Sequence, residues 1–348
     1  MINDASLICH VNLANGFRGG ERQTMLLIEA LSQEGYKQRL IARKGSELSA
    51  RCQSISQLDI LETSFLAFDS FSNSEDNIFF HFHESRSFPA FYLYGLFKNL
   101  NYIYTRRVQR PPKNNFISNK IYREAKNIVC LSSSIAYSVK NSIGKDLELK
   151  IIPSASANFT HDREKSMKIR RAIKQNFIVG HIGELDDSHK GQMDIIEIAI
   201  EAKNKDLNIG FILVGSGKDE LMLKRACKDL DNVYFAGQVE NVGDYLDAFD
   251  IFIFPSRHEG LGSTLLDAMD FGLPIIARNI GGIKDIIENN LNGYMLDTKN
   301  LSEIMPKLEI LSLDKELLEK FSKENKLKAS KYSISKMTNS YIELYKTR

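Results

Sequence analysis

The sequence predicts an α/β fold with two domains of similar build, each containing a parallel β-sheet covered by helices. Short apolar runs alternate with helix-like segments, a pattern typical of parallel strands joined by helices. A charged stretch of low hydrophobicity at 161–174 interrupts this pattern and is interpreted as a linker, after which the alternation starts again. The chain has 348 residues, which is enough for two domains with ordinary cores.

In the first half, an apolar strand runs into a glycine loop at 16–20 and then into a helix at 21–34 with apolar residues at helical spacing. Ser132 is well placed to cap a later helix because its hydroxyl can accept a bond from a free backbone N–H. The predicted strands are 6–12, 37–43, 77–82, 127–131 and 150–153.

The second half repeats the alternation. A helix is predicted at 192–203, and the chain after residue 300 is rich in Lys, Glu and Leu and is helical in pattern. The predicted strands are 177–182, 209–214, 233–236, 251–254 and 274–277. We therefore place one domain at 1–160, a second at 161–330, and a C-terminal helix at 331–348 that packs back on the first domain.

The composition excludes several classes of protein. It is 43% hydrophobic and 26% charged, with no apolar run of membrane-spanning length and no secretory leader pattern, which predicts a cytoplasmic protein. The four cysteines are scattered, and no histidines cluster at ligand spacing. The sequence therefore predicts neither disulfides nor a metal site.

The net charge of +2 conceals a basic stretch between residues 95 and 150, which holds eleven Lys/Arg against three acidic residues. Such a stretch is either an ordinary solvated face or a surface for a phosphorylated substrate or anionic lipid headgroups. Nucleic acid is disfavoured as a partner because no recognition motif accompanies the charge.

The segment 251–274 carries the strongest functional signal. An apolar strand leads into a glycine-bracketed loop with Glu259, and a helix that begins near Gly262 carries Asp267. Backbone N–H groups at such a helix start can bind an anion, and the two carboxylates can accept sugar or ribose hydroxyls. The alternative is tight α/β packing with solvated acids. The functional interpretation predicts a sugar-nucleotide site.

Several motifs occur in an order that resembles GT-B glycosyltransferases, most closely the large retaining family 4. The resemblance spans nearly the whole chain and implies two Rossmann-like domains whose parallel sheets face each other across a cleft. In the first half the motifs are Arg18-Gly19-Gly20-Glu21, His83 after a strand, and a Thr105-Arg106-Arg107 loop. In the second half they are Gly183 to Lys190-Gly191, the turn Gly215 to Gly217, the acid pair Glu259 and Asp267, and Gly281-Gly282.

The resemblance implies a role for each matching residue. Glu259 would contact the donor sugar and Asp267, where the family usually has Glu, the ribose. Implied catalytic residues are His83, Lys190 and Glu259. Implied donor-binding residues are Gly19, Gly20, Gly183, Gly215, Gly217, Arg257, Gly260, Leu261, Gly262 and Asp267. Arg106 and Arg107 are the implied acceptor contacts.

Three further expectations concern neighbours of these residues. His81 is predicted to point to the face opposite His83, and Glu84 to orient His83. Glu184 departs from the family pattern, where a basic residue contacts the diphosphate, and Arg257 is the candidate replacement for that cation.

The resemblance implies a retaining glycosyltransferase, and a hexosyltransferase in particular, that uses a nucleotide sugar such as a UDP-sugar. No cofactor is implied, and no metal, because Asp186 and Asp187 are adjacent rather than spaced as Asp-x-Asp. The implied acceptor is a cell-surface or lipid-linked glycan, such as a lipopolysaccharide or lipooligosaccharide, at the inner face of the cytoplasmic membrane. The alternatives are a non-catalytic GT-B subunit and another GT-B enzyme such as a sugar-nucleotide epimerase.

Overall fold

The computed structural model describes residues 7–64, 78–95, 101–297 and 301–346. The chain forms two compact units, the first made of residues 1–157 together with 333–348 and the second of residues 158–332. Each unit contains one parallel sheet, so the predicted fold class of two parallel-sheet α/β domains is confirmed. Ser6, Asn77 and Lys98, which belong to predicted strands and to the basic stretch, lie outside the described residues.

The first unit has a seven-stranded sheet in the order β3-β2-β1-β4-β5-β6-β7, with every pair parallel. The strands are β1 (Leu7–Asn12), β2 (Gln38–Arg43), β3 (Leu58–Thr63), β4 (Ile78–Phe82), β5 (Asn101–Arg106), β6 (Asn127–Cys130) and β7 (Leu149–Ile151). Strands β3 and β5 were not predicted. Thr105 and Arg106 therefore lie at the end of a strand and not in a loop, since β5 pairs with both β4 and β6.

Helices of the first unit connect these parallel strands. The first helix starts at Gly19, two residues before the predicted start, because the Glu21 carboxylate accepts a bond from the Arg18 N–H and so caps the helix. Ser132 caps its helix as predicted. The described helices are Gly19–Gln33, Glu47–Cys52, Phe88–Gly95, Phe116–Glu124, Ser133–Ser142 and Ile334–Lys346.

The last helix, Ile334–Lys346, packs on the first helix and contributes to the core of the first unit. Tyr341 and Tyr345 are each 1% exposed. The Tyr345 hydroxyl lies 2.6 Å from His81 Nδ1, and the Tyr341 hydroxyl lies 2.9 Å from Thr105 Oγ1. This helix is therefore joined to β4 and β5 by buried polar bonds as well as by apolar packing.

The second unit has a six-stranded parallel sheet in the order β10-β9-β8-β11-β12-β13. Its strands are β8 (Phe177–Ile182), β9 (Ile209–Val214), β10 (Val233–Gly237), β11 (Ile251–Phe254), β12 (Ile275–Arg278) and β13 (Gly293–Leu296). Its α-helices are Arg163–Ala172, Asp187–Lys190, Gln192–Asn204, Glu220–Ala226, Val242–Ala248, Ser263–Asp270, Ile283–Ile286, Ile304–Leu313 and Lys315–Ala329.

The charged segment at 161–174 is not a linker, which corrects the sequence interpretation. Residues Arg163–Ala172 form a helix of the second unit, capped by Asp162. Arg170 anchors the helix by donating to the Ala248 carbonyl and by pairing with Asp250 at 3.1 Å. The segment has low hydrophobicity because this helix buries only a narrow face and exposes its charged side chains.

No helix among the described residues is both long enough and apolar enough to cross a bilayer.

Candidate functional site

In the second unit, the loop after β11 and the helix Ser263–Asp270 place both members of the acid pair. Gly262 is the N-cap of this helix with φ +88°, a backbone conformation that favours glycine. Leu261 is buried beside it. Asp267 lies in the helix and is 5% exposed. The helix begins one residue after the position that the sequence indicated.

Lys190 and Glu259 are brought together. Lys190 Nζ donates to Glu259 Oε1 in an ion pair, and the same ammonium lies 5.4 Å from the centre of the Phe254 ring. Both side chains keep some exposure, 24% for Lys190 and 14% for Glu259. The pair therefore sits at the surface of the unit with its charges accessible to a ligand.

Gly191 makes this approach possible. Its φ is +71°, and a Cβ built there would lie 2.5 Å from the Pro255 carbonyl oxygen. Any side chain at Gly191 would push the short helix Asp187–Lys190 away from the loop after β11. The Arg257 N–H also donates to the His189 carbonyl at 2.8 Å, which fixes the same two segments to each other.

Asp194 holds the base of the loop. It pairs with Arg257 at 3.0 Å and with Arg278 at 2.6 Å, and it is 6% exposed. Arg257 also donates to the Asp187 backbone carbonyl. The guanidinium of Arg257, which was a candidate for the missing phosphate cation, is therefore bonded to the protein and positions the loop.

Gly183, Gly215 and Gly217 come together as two touching loops. A Cβ on Gly215, whose φ is +133°, would lie 2.0 Å from the Gly183 carbonyl oxygen. A Cβ on Gly217 would lie 2.4 Å from the Leu185 carbonyl oxygen. Gly215 and Gly217 are thus required for backbone packing between the loops, whatever ligand the loops contact.

The first unit contains a cluster of three buried histidines that the sequence did not predict. One ring nitrogen each from His10, His81 and His83 lies within 4.8 Å of the others. The ring centres of His81 and His83 are 3.9 Å apart, so the two side chains lie on the same face of the sheet. The expectation of opposite faces was wrong, because residues two apart along a strand point to the same side.

All six ring nitrogens in this cluster have hydrogen-bond partners. His81 is bonded to Tyr345 and Thr105, and His10 to Gln38 and His83. The remaining nitrogen of His83, Nδ1, is bonded to Arg107 at 3.2 Å. Coordination of a metal ion by these rings would require some of these bonds to break.

Burial keeps these histidines neutral. It lowers the pKa of His10 to about 4, and burial, with smaller effects of the neighbouring histidines and of the Arg107 charge, holds the pKa of His81 and His83 well below the usual value. Glu84 does not orient His83 as expected. Its carboxylate instead accepts bonds from the backbone N–H groups of Leu13 and Arg86.

Arg106 and Arg107 have different surroundings. Arg106 is 5% exposed and donates to the Tyr122 hydroxyl and to the Arg110 carbonyl, so it is a structural residue that fixes the following loop. Arg107 is half-buried and bonds His83. Its side chain also passes Gly20, where a Cβ would lie 3.4 Å from Arg107 Cδ.

Comparison with known proteins agrees with this geometry. Residues 162–328, nearly all of the second unit, match the family model described as "Glycosyl transferases group 1". The resemblance drawn from the motifs is thereby confirmed at the level of group 1 glycosyltransferases with a GT-B fold.

Among curated relatives, an "Uncharacterized glycosyltransferase" of Haemophilus influenzae is 32% identical over 54% of this chain and 52% of its own length. The capsular polysaccharide biosynthesis glycosyltransferase CapM of Staphylococcus aureus is 23% identical over 56% of this chain and 54% of its own length. The chain thus spans about half the length of the curated relatives it matches.

Among solved structures, Anabaena HepE in complex with UDP and glucose has a TM-score of 0.85 at 15% identity. The alignment covers 98% of this chain and 99% of HepE. A likeness at this identity establishes the fold.

Proposed function

We propose that this protein is a retaining glycosyltransferase that transfers a sugar from a nucleotide-sugar donor to a cell-surface glycan. The observation that carries the proposal is the pairing of Lys190 with Glu259 beside the glycine-capped helix start at Gly262, within the region that matches the group 1 family. A cation, a carboxylate and the backbone N–H groups of a helix start, all at one place, suit a ligand with both phosphate and hydroxyl groups.

In this proposal Lys190 and the N–H groups of Gly260 to Gly262 stabilise the negative charge that grows on the leaving diphosphate. Glu259 binds hydroxyls of the transferred sugar, and Asp267 those of the ribose. The bond from the anomeric carbon to the phosphate oxygen breaks, and its electrons stay on that oxygen. The acceptor oxygen bonds the same face of the carbon, and its proton passes to the departing phosphate.

A UDP-sugar is the proposed donor. Support comes from HepE, which has the same fold and is found with UDP and with UDP-glucose. Hexosyl transfer is the corresponding reaction.

The proposed acceptor is a lipid-linked or other cell-surface glycan reached at the inner face of the cytoplasmic membrane. Relatives include CapM of Staphylococcus aureus and the O-antigen biosynthesis glycosyltransferase WclY of Escherichia coli. In the first unit, Val108 and Phe116 are 56% and 74% exposed, and they flank the exposed cations Arg110 and Lys113. Apolar and basic groups exposed together favour an anionic membrane surface.

Turnover tests the central assignment. Release of UDP from a panel of UDP-sugars should be detectable for the native chain, and Glu259→Gln should lower kcat by at least about tenfold with the fold retained, since one charged hydrogen bond is lost. The matched control is Glu309→Gln, which breaks another ion pair of this unit, with Lys205, and should leave turnover unchanged. Native turnover in Glu259→Gln would remove Glu259 from the mechanism.

The same panel separates the alternatives. A non-catalytic subunit would be stabilised against heat by UDP without releasing it from any sugar nucleotide, because binding stabilises a fold by mass action. An epimerase would convert a sugar nucleotide into its epimer, with no net release of UDP and no need for a glycan acceptor.

Membrane association is tested with vesicles that contain anionic phospholipid. The double variant Arg110→Gln/Lys113→Gln should co-sediment several-fold less than the native chain, since each cation near the surface contributes about 1 kcal/mol. The control Lys315→Gln/Lys320→Gln removes the same charge from exposed positions of the second unit. Equal loss in both variants would indicate non-specific attraction.

A further inference from the structure

Four side chains of the first unit form a hydrogen-bond chain that can run in only one direction. The Gln38 amide nitrogen donates to the Ile28 carbonyl at 2.9 Å, and a carbonyl can only accept. The Gln38 oxygen must therefore face His10 Nε2, 3.0 Å away, and that nitrogen must carry the proton.

The direction continues through both rings. A neutral His10 has its one ring proton on Nε2, so its Nδ1 accepts, and the donor 3.0 Å away is His83 Nε2–H. His83 then has its proton on Nε2 and a lone pair on Nδ1. That lone pair accepts from Arg107 Nη2–H at 3.2 Å. Neither nitrogen of His83 is left for a ligand.

Arg107 ends the chain with a positive charge that the described residues do not neutralise. Within the described ranges its guanidinium has one hydrogen-bond acceptor, the neutral His83 ring, and no carboxylate oxygen within 4.0 Å. Its Nε is buried and has no partner. Glu21, whose charge acts on Arg107, uses its carboxylate to cap the first helix. A partly buried and unpaired guanidinium is costly unless an anion joins it.

We propose that Arg107 is the residue of the first unit that binds a phosphoryl group of the substrate, and that His83 is a positioning residue that holds Arg107 through the chain from Gln38 and His10. A guanidinium presents a planar set of N–H donors that matches phosphate oxygens, and a fixed ring on one Nη restricts its rotation. The inference rests on the proposed function for the source of the phosphate, either the donor diphosphate or a phosphorylated acceptor.

Binding measurements on the full-length chain test the proposal. Binding is measured by calorimetry with UDP, uridine and a short-chain polyprenyl phosphate. Arg107→Gln should lower the affinity for at least one of the two phosphate probes by about tenfold to a hundredfold and leave the affinity for uridine unchanged. A loss for UDP assigns the phosphate to the donor, and a loss for polyprenyl phosphate assigns it to the acceptor. Arg107→Lys keeps the positive charge but loses the planar set of N–H donors. Its affinity for that probe should lie between those of the native chain and of Arg107→Gln. Arg39→Gln, another arginine of this unit that pairs with Asp59, is the control.

The positioning role has its own readout. His83→Phe should weaken the same probe, and His83→Gln, which keeps an acceptor and a donor, should recover most of the affinity. In the double variant His83→Phe/Arg107→Gln the loss should equal that of Arg107→Gln alone, since His83 acts through Arg107.

The proposal is overturned if Arg107→Gln keeps the native affinity for both phosphate probes. It is also overturned if the fold-loss of affinity in the double variant equals the product of the fold-losses in His83→Phe and Arg107→Gln. Turnover of UDP-sugars by the native chain is scored separately. If the native chain turns over a donor while Arg107→Gln binds both phosphate probes with native affinity, this inference is wrong and the proposed function still holds.

Discussion

Buried histidines carry a stability cost that depends on pH in both units. His181 on β8 donates its Nδ1–H to the Ile253 carbonyl, 3.0 Å away, and burial lowers its pKa to about 4. His10, His81 and His83 in the first unit are shifted in the same direction. Because Ile253 offers a carbonyl, His181 Nδ1 carries the proton in the neutral ring.

We predict that the protein loses stability as pH falls from about 6.5 towards 4. Below pH 6.5 these histidines bind protons in the unfolded chain but stay neutral in the folded chain, so protonation favours unfolding. For His181 alone the loss between pH 7 and pH 5 is about 2 kcal/mol. Urea unfolding of His181→Gln should show a correspondingly smaller loss.

His258→Gln is the control because His258 is exposed, and its unfolding should keep the native pH dependence. A native free energy of unfolding that does not change between pH 7 and pH 5 would contradict the assignment of neutral buried histidines.

At the scale of elements, backbone contacts between loops decide where the charged side chains of the second unit lie. The helix Asp187–Lys190 reaches the loop after β11 only because Gly191 has no side chain: a Cβ there would lie 2.5 Å from the Pro255 oxygen. This close contact brings Lys190 next to Glu259.

Gly191→Ala should therefore reduce turnover as well as stability. A left-handed φ costs a residue with a Cβ about 1–2 kcal/mol, and the clash with Pro255 adds to this and moves Lys190. Gly237→Ala is a close control, since Gly237 has the same φ of +71° and open space around its Cβ position. Unfolding and kcat are measured for both variants.

The two alanine variants should lose similar stability from the backbone, but only Gly191→Ala should lose a large part of kcat. Equal kcat values in both variants would show that the approach of Gly191 to Pro255 does not place Lys190 for catalysis.

At the scale of the whole molecule, the chain returns to its first unit after completing the second. Residues 333–348 belong to the first unit, and their helix buries Tyr341 and Tyr345 against β4 and β5. The stability of the first unit thus depends on residues far away in sequence.

Tyr345→Ala should destabilise the first unit by about 3–5 kcal/mol, the usual cost of deleting a large buried aromatic ring. Hydrogen exchange is the measurement because it reports each unit separately. Protection should fall in the sheet β1–β7 and persist in β8–β13. Tyr345→Phe, which removes only the hydroxyl bonded to His81, should lose less, and an equal loss in the two sheets would contradict the prediction.

Local patterns in the sequence are sufficient for the alternation of strands and helices, for the strands β8, β9 and β11 with their bounds, and for the glycine loop before Ser263–Asp270. These features depend on neighbouring residues, so periodicity and turn chemistry predict them. Strands β3, β5 and β13 were not predicted. The charged helix Arg163–Ala172 was interpreted as a linker because composition alone does not show a narrow buried face.

Local patterns along the chain predict two parallel-sheet units and a strand–loop–helix segment with an acid pair. The pairing of Lys190 with Glu259 and the shared face of the three histidines are visible only in the folded chain. The reason is that these contacts depend on strand order: β1 lies beside β4 in a register that sets His10 next to His81. Residues 71 positions apart become neighbours through that order, and no local pattern in the chain encodes it.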